Sequence, residues 1–179
     1  MGRSAEPVEQ QNDRRHCGLC AVSGTGNLTQ TQTILKTEDL LRARGLEVVY
    51  ADYPNASRSG AGLFGKIHLA FEHILDRHPD LVAIHRGSAK LILCEIDIPA
   101  AIQEVLTYKS SLYRSASSML LDRIGGLCGV ELDRLVLVFA PTGFRPMRAK
   151  DAIPPMDAIV MFDGNGELRF YPEDQFPLN

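Results

Sequence analysis

Three carboxylates bracket one short hairpin in the middle of the chain. Asp80 opens the apolar run that ends at His85. Arg86-Gly87-Ser88-Ala89 reads as a turn, and a second apolar run from Lys90 carries Glu95, Ile96 and Asp97 at its far end. Two such runs around a glycine-containing tetrapeptide are a hairpin signal. Side chains alternate faces along a strand, so Glu95 and Asp97 share one face. Antiparallel pairing brings Asp80 to the same end of the sheet. Carboxylates gathered there repel one another unless a cation lies among them, and a hard divalent ion such as Mg²⁺ takes oxygen ligands of this kind. The plainer reading of the same residues is a set of solvated strand ends.

The elements that must position these groups follow from periodicity. Gln30 to Arg44 reads as a helix, with threonines at its start and Gly45 at its end. Its expected apolar stripe is Ile34, Leu35 and Leu41. Glu38 falls on that stripe, which puts its carboxylate either at the edge of the core or facing a site. Leu46 to Tyr53 reads as a strand, and Pro54 to Gly62 as a loop. Leu63 to Arg77 reads as a second helix on Leu63, Ile67, Phe71 and Leu75, and its Glu72 is an alternative helix carboxylate.

After the hairpin, Pro99 suits a helix start. A long helix is expected from there to about Ile124, on Ile102, Val105, Leu106, Leu112, Met119 and Leu120, broken by Gly125-Gly126 and Gly129. Arg134 to Ala140 reads as a buried central strand. Pro141 to Pro155 reads as a loop carrying Arg145, Arg148 and Lys150. Residues 158–171 read as a closing hairpin around Asp163-Gly164-Asn165-Gly166.

With 179 residues, the chain suits one domain at 28–179 with a helical insertion at 55–78, preceded by a polar, loosely ordered arm at 1–27. The N-terminus lacks the apolar core of a signal peptide and no run is long enough to span a bilayer, so cytoplasmic residence without a membrane partner is expected. A formal net charge of −3 gives no global attraction to nucleic acid, which leaves local clusters such as Arg14-Arg15-His16 to supply it. Cys17 and Cys20 form a Cys-x-x-Cys without the second pair that a structural zinc site uses and without the context of a redox motif. Reduced thiols are expected, Cys94 and Cys128 included.

Pro79-Asp80 followed, fifteen residues on, by Glu95-Ile96-Asp97 resembles the signature of the PD-(D/E)xK nuclease superfamily. The order helix, strand, inserted helix, strand, strand, long helix, strand resembles that family's core once the insertion is set aside, over roughly residues 30 to 140. So do the Gly45–Tyr50 step from helix to first strand and Gln103 in the helix after the acidic strand. The resemblance implies an α/β restriction-endonuclease-like fold, a mixed central sheet flanked by helices. It implies hydrolysis of DNA phosphodiester bonds with Mg²⁺, or Mn²⁺ as a substitute, held by Asp80, Glu95 and Asp97. Glu38 would lie in the outer shell of the metal. Arg58, Gln103 and Arg114 would contact DNA, and cutting both strands would call for a homodimer.

The family's third motif position is usually lysine, and this chain has Asp97. Lys109, on the following helix, is the candidate for a migrated lysine; its alternative is a solvated surface residue. Two other readings stay open: a family member that kept the fold as a DNA-binding or complex subunit, and an unrelated α/β protein with a chance motif.

Overall fold

The structure, a computed structural model, describes residues 29–53, 62–97, 105–142, 155–162 and 167–172. The expected arm at 1–27 with Cys17 and Cys20, the residues Arg58 and Gln103, and the basic residues Arg145, Arg148 and Lys150 lie outside the described residues.

Thr29 is the first of the described residues. Its hydroxyl accepts from the Gln32 amide at 3.3 Å while the Gln32 side chain accepts from the Thr29 amide at 2.9 Å, a reciprocal cap that starts α1 (Gln30–Ala43). Thr33, Ile34, Thr37 and Leu41 form the buried stripe of α1. Leu35, expected there, is 49% exposed. Gly45, at φ +79°, turns the chain straight into β1 (Glu47–Ala51). Helix α2 (Leu63–Leu75) follows, then β2 (Leu81–His85), the tight turn Arg86–Ser88 and β3 (Lys90–Asp97). A π-helical segment at Val105–Lys109 leads into α3 (Ser110–Ser115) and α4 (Ser117–Cys128). The chain closes with β4 (Arg134–Pro141), β5 (Ala158–Phe162) and β6 (Leu168–Tyr171).

All six strands form one mixed sheet in the order β1 to β6. Strands β1–β2, β2–β3 and β5–β6 pair antiparallel, whereas β3–β4 and β4–β5 pair parallel. The parallel step from β3 to β4 needs a crossover, which the segment containing α3 and α4 supplies. Val82, Ile84, Leu91, Leu93, Leu137 and Phe139 face one layer, where Ile67 and Phe71 of α2 and Leu120 and Ile124 of α4 cover them. Alternate residues, including Leu81, Ile92, Ile96 and Val138, face the other layer and pack with Ile34 and Leu41 of α1. Strand β4 is buried on both faces, which is why its sequence is apolar without alternation. Among the described residues, no helix is long and apolar enough to cross a membrane.

The long crossover helix departs from its sequence expectation in three ways. It is interrupted at Ala116, and Met119, expected on the apolar face, is 57% exposed. Nor do Gly125 and Gly126 break it. They lie inside α4, and the end comes at Gly129 with φ +63°. Gly125 is there because the chain folds back on it: the Val130 amide donates to its carbonyl at 3.0 Å, and a Cβ at Gly125 would sit 2.6 Å from the Val130 oxygen. Gly125→Ala is therefore expected to destabilise the protein by about 1–3 kcal/mol through overpacking. Gly126→Ala faces open space and should stabilise it by about 0.5–1 kcal/mol. Urea denaturation of the two variants checks both signs.

Candidate active site

The hairpin register sets the site. Leu81 pairs with Cys94, so Asp80, one residue before β2, stands opposite Glu95 and Ile96 at the end of the ladder. Strand β2 has run out there, and the Ile96 amide lacks a strand partner on that side. Asp80 Oδ2 accepts from it at 2.7 Å, while Gln30 Nε2 at the start of α1 donates to Asp80 Oδ1 at 3.3 Å. The Asp80 carbonyl accepts from the Asp52 amide at 2.8 Å, which ties β1 to the same corner. Asp80 is thus held on three sides by backbone and polar groups.

Glu95 continues the face of Leu91 and Leu93 and is buried beneath the crossover helices. Its side chain is only 2% exposed, and Lys109 Nζ makes an ion pair with Oε2. The Tyr113 hydroxyl donates to Oε1. Lys109 and Tyr113 are four residues apart, hence on one helical face, and together they engage both oxygens of the carboxylate. Asp97 lies two residues further along the same strand face. Its carbonyl accepts from the Thr142 amide at 2.8 Å, and its charge acts on both Glu95 and Lys109.

Electrostatics at this corner are dominated by burial and by the crowding of negative charge. Desolvation, then the nearby Glu95 charge, pushes the Asp80 carboxyl up to about 7, against the opposing pull of the Ile96 amide and Lys109. Burial also pushes Glu95 upward, while Lys109 and Tyr113 pull it back. Desolvation works against the charge on Lys109, but Glu95 together with Asp80 and Asp97 outweighs it and the ammonium is held above its ordinary value. Tyr113 is kept protonated by burial and by Glu95, so its hydroxyl remains a donor.

Asp80, Glu95, Asp97 and Lys109 therefore meet at one end of the sheet. Other residues singled out in the sequence are drawn elsewhere. Both oxygens of Glu38 are engaged: Arg42 donates to Oε1 at 2.7 Å, and the Tyr53 hydroxyl donates to Oε2. Its place beside the α1 stripe is explained by these partners rather than by the acidic corner. Glu72 Oε1 lies 3.1 Å from His68 Nε2. Arg114 reaches the Pro155 carbonyl at 2.6 Å and Asp157 Oδ2 at 3.2 Å, fastening the crossover to the start of β5.

Sequence reasoning missed Tyr113, the Gln30 contact and a histidine–tyrosine cluster beside the corner. In that cluster Tyr50 and His68 share a 3.1 Å hydrogen bond, and the His68 and His78 rings lie 4.6 Å apart. The spacing of Lys109 and Tyr113 was the available signal for the tyrosine.

Among the described residues, no group of three or more His, Cys, Asp or Glu side chains is arranged as it stands to hold a metal ion. The donor chemistry nonetheless suits a hard cation. The corner offers carboxylate oxygens from Asp80, Glu95 and Asp97, the ligand type such an ion takes. Lys109 is the cation that now answers Glu95. Comparison of the chain with protein-family models, with curated proteins and with solved structures gives no match.

Proposed function

We propose that this chain is a metal-dependent endonuclease of the restriction, recombination or repair type, hydrolysing DNA phosphodiester bonds on a restriction-endonuclease-like core. The observation that carries this reading is the meeting of Asp80, Glu95, Asp97 and Lys109 at one sheet end, with the lysine supplied by the following helix. Element order supports it: with α2 set aside, α1, β1, β2, β3, the crossover helices and β4 run in the order of that core.

Asp80, Glu95 and Asp97 would hold Mg²⁺ or Mn²⁺. When bound, the ion would supply an acidified water and neutralise charge on the phosphate. The chain's own groups do the rest. The Ile96 amide and Gln30 fix the orientation of Asp80, and Tyr113 fixes Glu95. Lys109 holds a permanent positive charge where negative charge would build on a phosphate, the arrangement that stabilises a transition state most strongly when little reorganisation is needed.

A second reading, a nuclease-fold protein that binds DNA or a complex without cutting, is favoured by one observation. Both Glu95 oxygens are engaged, by Lys109 and Tyr113, and Asp97 occupies the usual lysine position. Nicking of supercoiled plasmid separates the two. The nuclease reading expects nicking with Mg²⁺ or Mn²⁺ that chelation abolishes and Glu95→Ala eliminates. Metal-independent nicking, or equal nicking by Glu95→Ala, would remove it.

A further inference from the structure

We infer that Arg77 and Tyr108 form a binding element for an unpaired nucleotide of single-stranded DNA at the rim of the acidic corner, an inference that rests on the nuclease reading. Tyr108 is 52% exposed although its ring is large and apolar, and the Arg77 guanidinium lies over that ring, 4.9 Å from its centroid.

Both residues are tied to the site by the chain itself. Arg77 precedes Asp80 by three residues in the turn after α2, and Tyr108 is the neighbour of Lys109. The charge of Arg77 is also felt at the Tyr113 hydroxyl, which binds Glu95. Tyr108 and Lys109 lie on the π-helical segment, an irregularity that recurs at functional sites. Consecutive residues there serve different partners: Lys109 turns in to Glu95 while Tyr108 meets Arg77 with about half of its surface open.

The chemistry of the pair suits one kind of ligand. A nucleobase stacks on an aromatic ring, and a guanidinium fork takes a phosphate bidentately. Bases in a regular duplex are stacked on one another and cannot offer a face to a tyrosine beside the strand. An unpaired base can. The corner that would cleave the phosphate is therefore flanked by a group that grips a neighbouring nucleotide only where the duplex is open.

The measurement is fluorescence anisotropy in chelator with a labelled oligonucleotide, single-stranded or annealed to its complement, on wild type, Tyr108→Ala, Tyr108→Phe and Arg77→Gln. The single strand is expected to bind wild type more tightly than the duplex. Tyr108→Ala should weaken the single strand about tenfold and leave the duplex within twofold, Tyr108→Phe should retain binding, and Arg77→Gln should flatten its salt dependence. Equal affinity of wild type and Tyr108→Ala for the single strand, or equal losses on both forms, would overturn the inference. Cleavage with Mn²⁺ on the same proteins keeps the two claims apart. Cleavage that ignores Tyr108→Ala in a protein whose binding also ignores it removes the nucleotide grip alone. Selective, Tyr108-dependent binding without any cleavage removes the nuclease reading alone.

Discussion

Lys109→Ala is expected to lower the stability of the protein by about 2–4 kcal/mol at pH 8, far more than a surface lysine would, because it strands a buried carboxylate. Glu95 is 2% exposed and Lys109 is 20% exposed in the pair, so the loss should fall a little short of that for a fully buried pair. Its pH dependence has a definite sign. Burial already raises Glu95, and Lys109 is the main group holding it down. Without the lysine the folded state binds a proton on Glu95 more tightly still. A group raised in the folded state contributes its stability fully at low pH and loses it as pH rises through the folded value. The gap between wild type and variant should therefore shrink as pH falls from 8, because Tyr113 can still hydrogen-bond the neutral acid. Guanidinium denaturation over a falling pH series measures this. A loss below about 0.5 kcal/mol at pH 8 would mean that Lys109 is an ordinary solvated lysine. Cleavage by the same variant should fall by about 10²–10³-fold, the usual effect of removing one charge-stabilising donor.

Asp80→Asn should act in the opposite direction on stability while removing activity. The Asp80 carboxyl moves from an ordinary 3.8 to about 7 in the folded protein, chiefly through desolvation and then the Glu95 charge. Between those values the folded chain holds a proton that the unfolded chain has lost, so metal-free stability falls as pH rises from about 4 to 7. The full shift would correspond to roughly 4 kcal/mol at pH 8. Partial exposure of the side chain reduces this to about 1–3 kcal/mol. An asparagine carbonyl can still accept from the Ile96 amide and carries no charge. The metal-free variant should thus be more stable than wild type at pH 8, equal to it near pH 4, and flatter between. Added Mg²⁺ should raise the melting temperature of wild type, since an ion that binds only the folded state stabilises it, and leave Asp80→Asn unchanged. A variant less stable than wild type at pH 8 would show that Asp80 serves only to finish the β2–β3 ladder.

Much of the acidic corner was legible because it depends on two short-range rules. Hairpin pairing set Asp80 against Glu95, and strand alternation put Glu95 and Asp97 on one face. The position of Lys109 was legible as a candidate only; its contact with Glu95 depends on how the crossover helix rolls over the sheet, which periodicity does not fix. For Glu38 the sequence left two places open, the edge of the core or a site, because α1 buries two threonines along with Ile34 and Leu41 and its stripe is broader and more polar than an apolar count suggests. Its carboxylate sits at the border of that stripe, where Tyr53 and Arg42 satisfy it. Gly125 was read as a helix breaker when it marks a close approach instead: only the return of Val130 onto the helix shows why no side chain is tolerated there. The pairing of Arg77 with Tyr108 joins residues from separate elements and has no local signature.

The corner of Asp80, Glu95, Asp97 and Lys109 is proposed to cut DNA with a divalent metal. The most direct test compares wild type with the Asp80→Ala/Glu95→Ala double variant on supercoiled plasmid and branched DNA, across Mg²⁺ and Mn²⁺ concentrations. Metal-dependent cleavage is expected from wild type and none from a double variant that remains folded. Absence of cleavage by wild type with either metal on both substrates, or a double variant as active as wild type, would contradict it.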